Sequence, residues 1–280
     1  MKLFTYEDIK NKVKELTIAA NYDLDIEVIR KLEASCDQEN VSLSKMIISE
    51  ILDNANIAHE KRIPMCQDTG IVVVFLEIGN NVHFDFLIDD AINEGVKEAY
   101  AEEFFRGSVV NHPIERKNTK TNTPCIIHSE NVLGDNLKIT ICPKGAGSEN
   151  LSQMKMMIPA DGIDGVKKFV IDAVKNAGGK VCPPMIVGIG IGGNFEQSTY
   201  LSKKAVIRPI DDESEDIIAN ELEKTLLKEI NQLNIGPMGV GGKTTALAVK
   251  VNVYPCHIAS LPVAVNFQCH ASRHKEVILW

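Results

Sequence analysis

Apolar residues recur every three to four positions in the N-terminal part of the chain. The pattern is clearest at 26–36 and 42–62, and it predicts helices there. Ser42 stands just before the second apolar run, where a serine side chain can cap a helix. Pro64 and the polar residues after it end the pattern. We therefore expect a helical N-terminal segment of about 1–62.

Beyond this segment, short apolar runs alternate with amphipathic stretches. Runs rich in β-branched residues predict strands, and helical periodicity predicts the helices between them. The predicted strands are 71–79, 123–130, 136–143, 183–193, 245–254 and 260–267, and the predicted helices are 89–106, 161–179 and 212–233. This alternation predicts an α/β (mixed α+β) fold around a mixed sheet. Because no repeat or linker interrupts it, we expect one domain over 1–280.

Composition and charge exclude several classes of function. The formal net charge is −8, so the chain gains nothing from counterion release on nucleic acid, and we expect no nucleic-acid partner. No apolar run approaches the about 18 residues that a membrane span needs, so we expect no membrane association. The N-terminus lacks the apolar stretch of a signal peptide. These features predict a cytoplasmic protein whose thiols are reduced.

Cysteines are the first candidates for chemistry, because a cytoplasmic protein with several of them uses them as buried thiols, metal ligands or nucleophiles. None belongs to a C-x₂-C pair, so any metal site must combine distant segments. Cys36 and Cys125 lie inside a predicted helix and strand, which is typical of buried thiols. Cys66, Cys182 and Cys269 instead stand at the edges of apolar strands. The seven cysteines are Cys36, Cys66, Cys125, Cys142, Cys182, Cys256 and Cys269.

Two polar loops precede or follow predicted strands. The loop 65–70, with the sequence MCQDTG, gathers a thiol, an amide, a carboxylate and a hydroxyl. Asp-Thr-Gly also occurs in aspartic proteases, but the chain has a single copy and an acidic, cytoplasmic character. The loop 144–150, with the sequence KGAGSEN, combines a lysine with small residues that let a backbone approach an anion. For both loops, an ordinary surface turn is the alternative.

Two glycine-rich stretches suggest nucleotide binding. Residues 188–193 satisfy G-x-G-x-x-G after a predicted strand, and Asp212 lies near the ribose-binding offset. That fingerprint belongs in a first βαβ unit, whereas this copy lies two-thirds along the chain. Residues 236–245 resemble a P-loop, but Gly236 is one position too early, which leaves a glycine-rich ligand loop as the interpretation.

Taken together, these motifs resemble one family over essentially the whole chain. The sequence is similar to the class I fumarases, and specifically to the α subunit of their two-subunit members, with L-tartrate dehydratases sharing the layout. The stretches that carry the resemblance are MCQDTG at 65–70, KGAGSEN at 144–150, VCPP at 181–184, GIGIGGNFE at 188–196, GPMGVGGKTT at 236–245 and HIASLPVAVNFQC at 257–269.

The resemblance implies an iron–sulfur lyase that hydrates fumarate to L-malate in the tricarboxylic acid cycle. It implies a [4Fe–4S] cluster bound by Cys66, Cys182 and Cys269, with one iron that lacks a protein ligand and acts as a Lewis acid. The roles of Cys142 and Cys256 stay open.

The resemblance also implies which residues meet a small dicarboxylate substrate. Asp68 and His257 correspond to catalytic positions, although a purely structural His257 is the alternative. The implied substrate-binding residues are Gln67, Arg106, Gly145, Ala146 and Gly147. The chain offers no convincing base, so a β subunit is expected to supply it together with further substrate contacts, in a dimer of heterodimers.

Three alternatives remain open. The first is the α subunit of an L-tartrate dehydratase or a methylfumarate hydratase, although the loops 144–150 and 236–245 look more like those of fumarases. The second is a non-enzymatic metal-binding scaffold that holds tetrahedral zinc. The third is a dinucleotide-dependent oxidoreductase built on 188–193.

Overall fold

The computed structural model describes residues 2–280 and confirms the predicted α/β fold. Met1, which the expected segments 1–62 and 1–280 include, lies outside the described residues. The chain divides into two compact units. The first comprises the chain up to Leu24, Ala55–Ala146 and Arg273–Trp280, and the second comprises Asp25–Asn54 and Gly147–Ser272. The single domain over 1–280 stays a prediction.

The first unit contains a mixed four-stranded sheet with the order β10-β5-β2-β4. Strand β2 runs parallel to β4 and antiparallel to β5, and β10 is antiparallel to β5. Two short strands of the same unit, β1 and β3, pair in parallel as a separate two-stranded sheet. The elements of this unit are β1 (Lys2–Leu3), α1 (Tyr6–Tyr22), β2 (Ile71–Gly79), β3 (Val82–His83), α4 (Ile88–Glu102), β4 (Ile126–Val132), β5 (Leu137–Lys144) and β10 (Lys275–Leu279).

Apolar periodicity explains how α1 packs in this unit. Thr5 and Asp8 form a reciprocal capping box that satisfies backbone N–H groups at the start of the helix. The helix then buries Ile9 and Val13 completely in the core that also holds Val72 and Val74 of β2. Strand β2 is buried along most of its length, which is why it reads as a continuous apolar run.

The second unit contains another mixed four-stranded sheet, with the order β6-β9-β7-β8. Strand β7 runs parallel to β8, while β9 is antiparallel to both β7 and β6. The boundary between the units falls within α3 (Ser42–Lys61) and at the start of α5 (Ala146–Glu149). The remaining elements of this unit are α2 (Ile26–Gln38), β6 (Gln153–Met157), α6 (Gly162–Ala177), β7 (Met185–Gly193), α7 (Phe195–Ala205), α8 (Ile217–Asn231), β8 (Ala246–Cys256) and β9 (Leu261–Gln268).

Glycines in β7 allow α7 to lie directly on the sheet. A Cβ atom at Gly190 would stand 2.0 Å from the carbonyl oxygen of Ser198, and one at Gly188 would stand 2.4 Å from that of Ser202. Both glycines lie inside the strand rather than in a phosphate-binding turn that opens a helix. Helix packing therefore accounts for the glycine spacing that suggested a dinucleotide site.

Several boundaries differ from the prediction. Helix α3 begins at Ser42, and Lys45 donates its N–H to the carbonyl of Val41, so the helix starts one residue earlier than a Ser42 cap would place it. The elements that the sequence did not reveal are α7, β6 and β10, the short strands β1 and β3, and the short helix α5 inside the predicted loop 144–150. Within residues 2–280, none of the helices combines the length and the apolar character that crossing a membrane requires.

Candidate active site

The loop 65–70 lies at one edge of the first unit's sheet. Ile71 at the start of β2 pairs with Lys144 at the end of β5, and Lys275 at the start of β10 pairs with Ile141. The start of β2, the end of β5 and the start of β10 therefore meet at the same edge. Pairing of these strands brings the MCQDTG and KGAGSEN motifs together, although they are far apart in sequence.

Asp68 joins these two loops. The N–H of Gly70 donates to its Oδ1 at 3.1 Å, and the N–H of Ala146 donates to its Oδ2 at 2.8 Å. Its side chain is half-buried, while Gln67 and Ala146 are exposed. A carboxylate held by two backbone donors has a fixed orientation and keeps lone pairs for a further partner. The structure thus brings together the predicted residues Asp68, Gly145 and Ala146.

The backbone of Arg106 is tied to the same loop. The buried hydroxyl of Thr69 donates to the carbonyl of Arg106 at 2.7 Å. Tyr100 donates its hydroxyl to the carbonyl of Thr69 at 2.6 Å, and Asn122 donates its amide to the carbonyl of Gly70 at 3.1 Å. Burial raises the pKa of Tyr100, so its hydroxyl stays protonated as this donor. The side chain of Arg106 is exposed, while its carbonyl holds the loop through Thr69.

Arg273 is a residue at this edge that the sequence reasoning missed. It is 2% exposed, although arginine is rarely buried. Its Nη1 donates to the carbonyl of Asp68 at 2.6 Å and to Oδ1 of Asn21 at 3.3 Å. The only sequence signal is its place in a polar stretch between Cys269 and the last strand, because burial depends on strand pairing that the sequence does not reveal.

In the second unit, Cys182 and Cys269 lie at the same end of the β7–β9 pair. Cys182 comes just before β7, Cys269 comes directly after β9, and Ile186 pairs with Gln268. The N–H of His270 donates to the carbonyl of Cys182 at 3.2 Å, and its Nδ1 lies 2.9 Å from the same oxygen. Both thiols are partly exposed. His270 was also missed, although its position beside Cys269 was a signal.

His257 lies at the opposite end of β9 from Cys269. It follows β8 directly, and the eight residues of β9 separate it from the cysteine end by about 26 Å. The ring is exposed, accepts the N–H of Ala259 at its Nδ1 (3.1 Å), and lines an apolar cavity of about 440 Å³. The second unit does not bring His257 to Cys182 and Cys269, and its catalytic role stays a prediction.

The glycine-rich loop 236–245 is anchored by Glu39. The N–H of Lys243 donates to Glu39 Oε2 at 2.7 Å, and its ammonium donates to the carbonyl of Gln38 at 2.9 Å. Burial alone would raise the pKa of Glu39, but the N–H groups of Val41, Lys243 and Asn40 outweigh burial and lower it. These contacts give the loop a structural role, and its role in ligand binding stays a prediction.

Asp212, the candidate ribose-binding residue, forms ion pairs with two cations of its own unit. Arg208 donates to both carboxylate oxygens at 2.9 Å, and Lys250 donates to Oδ1 at 2.6 Å. Burial would raise the pKa of Asp212, but these bonds and charges lower it. Together with the glycine packing in β7, this ion-pair network weakens the dinucleotide interpretation.

The chain is similar to known proteins over nearly its whole length. A family model described as fumarate hydratase (Fumerase) matches residues 10–278. The chain belongs to the fumarate hydratase family. A putative L(+)-tartrate dehydratase subunit alpha of Methanocaldococcus jannaschii is 45% identical over 272 residues, which cover 95% of each chain. The L(+)-tartrate dehydratase subunit alpha of Escherichia coli strain K12 is 30% identical over 278 residues, 96% of this chain and 91% of that one.

Membership in the fumarate hydratase family makes this chain part of a hydro-lyase. The family's iron–sulfur chemistry needs thiolate ligands. Within residues 2–280, no three His, Cys, Asp or Glu side chains form a ready metal-binding group. The three candidate cysteines are nevertheless partly exposed, so their thiols are accessible to a metal. Cys182 and Cys269 share one sheet end, and Cys66 lies partly exposed in the loop of Asp68.

Proposed function

We propose that this chain is the cluster-binding subunit of a hydratase that reversibly adds water to fumarate to give L-malate. The observation that carries the proposal is the fixed carboxylate of Asp68, held between the MCQDTG and KGAGSEN loops beside a buried arginine. A carboxylate in this setting can exchange a proton with a substrate oxygen, while the base that removes the carbon proton is assigned to the β subunit.

The cofactor of the proposed enzyme is a [4Fe–4S] cluster with Cys66, Cys182 and Cys269 as its ligands. When bound, such a cluster supplies a Lewis acid for the hydroxyl group that is added or lost. Support comes from the family match and from the shared sheet end of Cys182 and Cys269. The hydrogen bond from His270 to the Cys182 carbonyl fixes the approach of these two segments.

The chain's own residues would bind and orient the dicarboxylate. The exposed guanidinium of Arg106 can form two parallel hydrogen bonds to one carboxylate, and the exposed amide of Gln67 can donate to the other. The backbone of Gly145, Ala146 and Gly147 permits close approach of a substrate oxygen because these residues are small. The bonds from Gly70 and Ala146 hold Asp68 in one orientation for proton transfer.

A β subunit is the proposed partner, because relatives of this chain are named as alpha subunits. It would supply the base and further substrate contacts in a dimer of heterodimers. Under this proposal, the purified chain alone binds the cluster and lacks hydratase activity, and added β subunit restores the activity.

L(+)-tartrate dehydration is the second candidate, and the names of the relatives favour it. Tartrate and malate are both 2-hydroxy dicarboxylates, so the same carboxylate-binding residues serve either acid. A methylfumarate hydratase would use these residues as well.

The proposal is tested by measuring kcat/KM of the oxygen-free complex with fumarate, L-malate, L(+)-tartrate and methylfumarate. Fumarate and malate are expected to be the best substrates, with Cys182→Ser inactive and the exposed Cys256→Ser as its matched control. A clear preference for tartrate would establish the second candidate. No lyase activity with any of the four acids, from a complex that holds zinc instead of iron, would favour the metal-binding scaffold.

A further inference from the structure

The segment 106–122 is positively charged, whereas the chain as a whole is acidic. It contains four cations and one carboxylate, so with its histidine neutral its net charge is +3, against −8 for the whole chain. These charged residues are Arg106, Glu115, Arg116, Lys117 and Lys120, and all five are exposed. Among the residues that the structure describes, none of the four cations forms an ion pair with an Asp or Glu side chain. We call this segment the basic arm.

Hydrogen bonds fold the basic arm into a hairpin. Val110 and Asn118 form an antiparallel β-bridge, and the N–H of Asn111 donates to the carbonyl of Lys117 at 2.8 Å. The side-chain amide of Asn118 donates to the carbonyl of Gly107 at 2.8 Å, which joins the returning side of the hairpin to its start. Because these bonds fix the backbone, mutual repulsion does not drive the four cations apart.

Both ends of the basic arm are joined to the loop 65–70 of the candidate site. At the first end, the carbonyl of Arg106 accepts the hydroxyl of Thr69 at 2.7 Å. At the other end, Asn122 is 1% exposed and donates its amide to the carbonyl of Gly70 at 3.1 Å. The basic arm therefore starts and finishes beside the loop that carries Asp68.

The charge and the position of the basic arm indicate the chemistry of its partner. A small dicarboxylate carries two negative charges near pH 7, because both of its carboxyl groups are ionised there. A cluster of like charges beside a binding site raises the local concentration of an oppositely charged substrate and its rate of capture. This effect needs no direct contact between the cations and the reacting atoms.

We infer that the basic arm attracts the dianionic substrate electrostatically toward the loop of Asp68. Lys117 and Lys120 increase the capture of the substrate, and they take no part in the chemical step. The inference rests on the proposed function. It holds equally for fumarate and for tartrate, because both acids are dianions.

The double variant Lys117→Glu with Lys120→Glu tests the inference by reversing two of the four positive charges. Kinetics of the oxygen-free complex are measured with its best dicarboxylate substrate over a series of ionic strengths. At about 10 mM ionic strength, where the Debye length is about 30 Å, kcat/KM should fall by about tenfold. At about 0.5 M, where screening acts within less than about 10 Å, the fall should be under about twofold. The change should lie in KM, with kcat unaltered.

Lys175→Glu with Lys228→Glu is the matched control. Both lysines are exposed on helices of the second unit, and the two exchanges lower the net charge of the chain by the same amount. This control should keep the kcat/KM and the salt dependence of the wild type. If the reversed arm does not fold, Lys117→Gln with Lys120→Gln replaces it. Neutralisation changes the charge half as much, so kcat/KM should fall by about threefold at low ionic strength.

The outcomes separate this inference from the proposed function. A wild-type complex that neither binds nor converts any dicarboxylate ends the proposed function, and the inference with it. If the wild type is active and the arm variants keep its kcat/KM and salt dependence, the inference is overturned while the proposed function stands. An equal loss in the control would assign the effect to net charge and also overturn it. Arm variants that no longer assemble with the β subunit in size-exclusion chromatography would show a subunit interface instead.

Discussion

Packing of α7 on β7 leads to a quantitative prediction for Gly190→Ala. The added methyl carbon would stand 2.0 Å from the carbonyl oxygen of Ser198, whereas ordinary contacts begin at 3.4 Å. The helix would have to retreat by about 1.4 Å, the difference between these two distances. Leu201 and Ala205 of α7 are buried, so this movement would disturb the core.

Overpacking of a well-packed core costs about 1–3 kcal/mol and occasionally more. We expect the upper end of this range, because the obstructing atoms belong to a helix backbone and cannot rotate away. For a chain of this size each kcal/mol lowers Tm by about 2–4 °C, so a loss of about 3 kcal/mol lowers Tm by about 6–12 °C.

Thermal unfolding followed by circular dichroism measures this shift. Gly147→Ala is the matched stability control, because the nearest atom to its added Cβ is 3.9 Å away and its φ is not positive. Its Tm should stay near that of the wild type. A Gly190→Ala protein whose Tm also stays within about 2 °C of the wild type would refute the packing explanation of the glycine pattern, since the expected loss exceeds that several-fold.

Three further predictions follow from hydrogen bonds and burial. Thr69→Val removes the bond to the Arg106 carbonyl and should cost about 1–3 kcal/mol in chemical unfolding, whereas Thr69→Ser should cost less; equal losses would contradict this. Because the pKa of Glu39 is lowered, its carboxylate stabilises the fold above pH 4.5, and this stabilisation is lost as the pH falls further. Glu39→Gln should therefore flatten the acid side of a plot of unfolding free energy against pH. A plot parallel to that of the wild type would contradict this. Burial raises the pKa of Cys125 to about 12, so the stability that is present below the ordinary value of 9.0 should decline as the pH rises toward 12. In the native protein at pH 8, Cys125 should resist alkylation while the exposed Cys256 reacts. Rapid labelling of Cys125, detected by mass spectrometry, would contradict its burial.

The sequence predicted those features that local patterns encode. The limits of β2 at 71–79 follow from one continuous apolar run bounded by polar loops, and the structure places the strand there. Helix α7 was missed because its sequence mixes polar residues with few apolar ones, and its position depends on the glycines of the strand beneath it. Strand β10 was missed because its register is set by pairing with β5, far away in sequence.

In the candidate site, too, motifs predicted some residues, and the positions of others depend on the topology of the chain. Motif resemblance predicted Asp68 and the loop at Gly145, and the structure brings them together through the N–H of Ala146. Arg273 lies outside every motif. The pairing of β10 with β5 brings it to the edge of the first sheet, where it donates to the carbonyl of Asp68. The position of His257 at the far end of β9 likewise follows from topology, which a motif cannot convey.

The cluster assignment is the central claim, and one measurement tests it most directly. Iron and sulfide are quantified in the complex purified without oxygen, and low-temperature EPR spectra of the complex reduced with dithionite are recorded with and without malate. The account predicts four irons per chain and a signal that malate alters. That signal should disappear in Cys66→Ser, Cys182→Ser and Cys269→Ser and persist in Cys256→Ser. A protein that holds zinc, or a cluster that survives in any of the three ligand variants, would contradict the account.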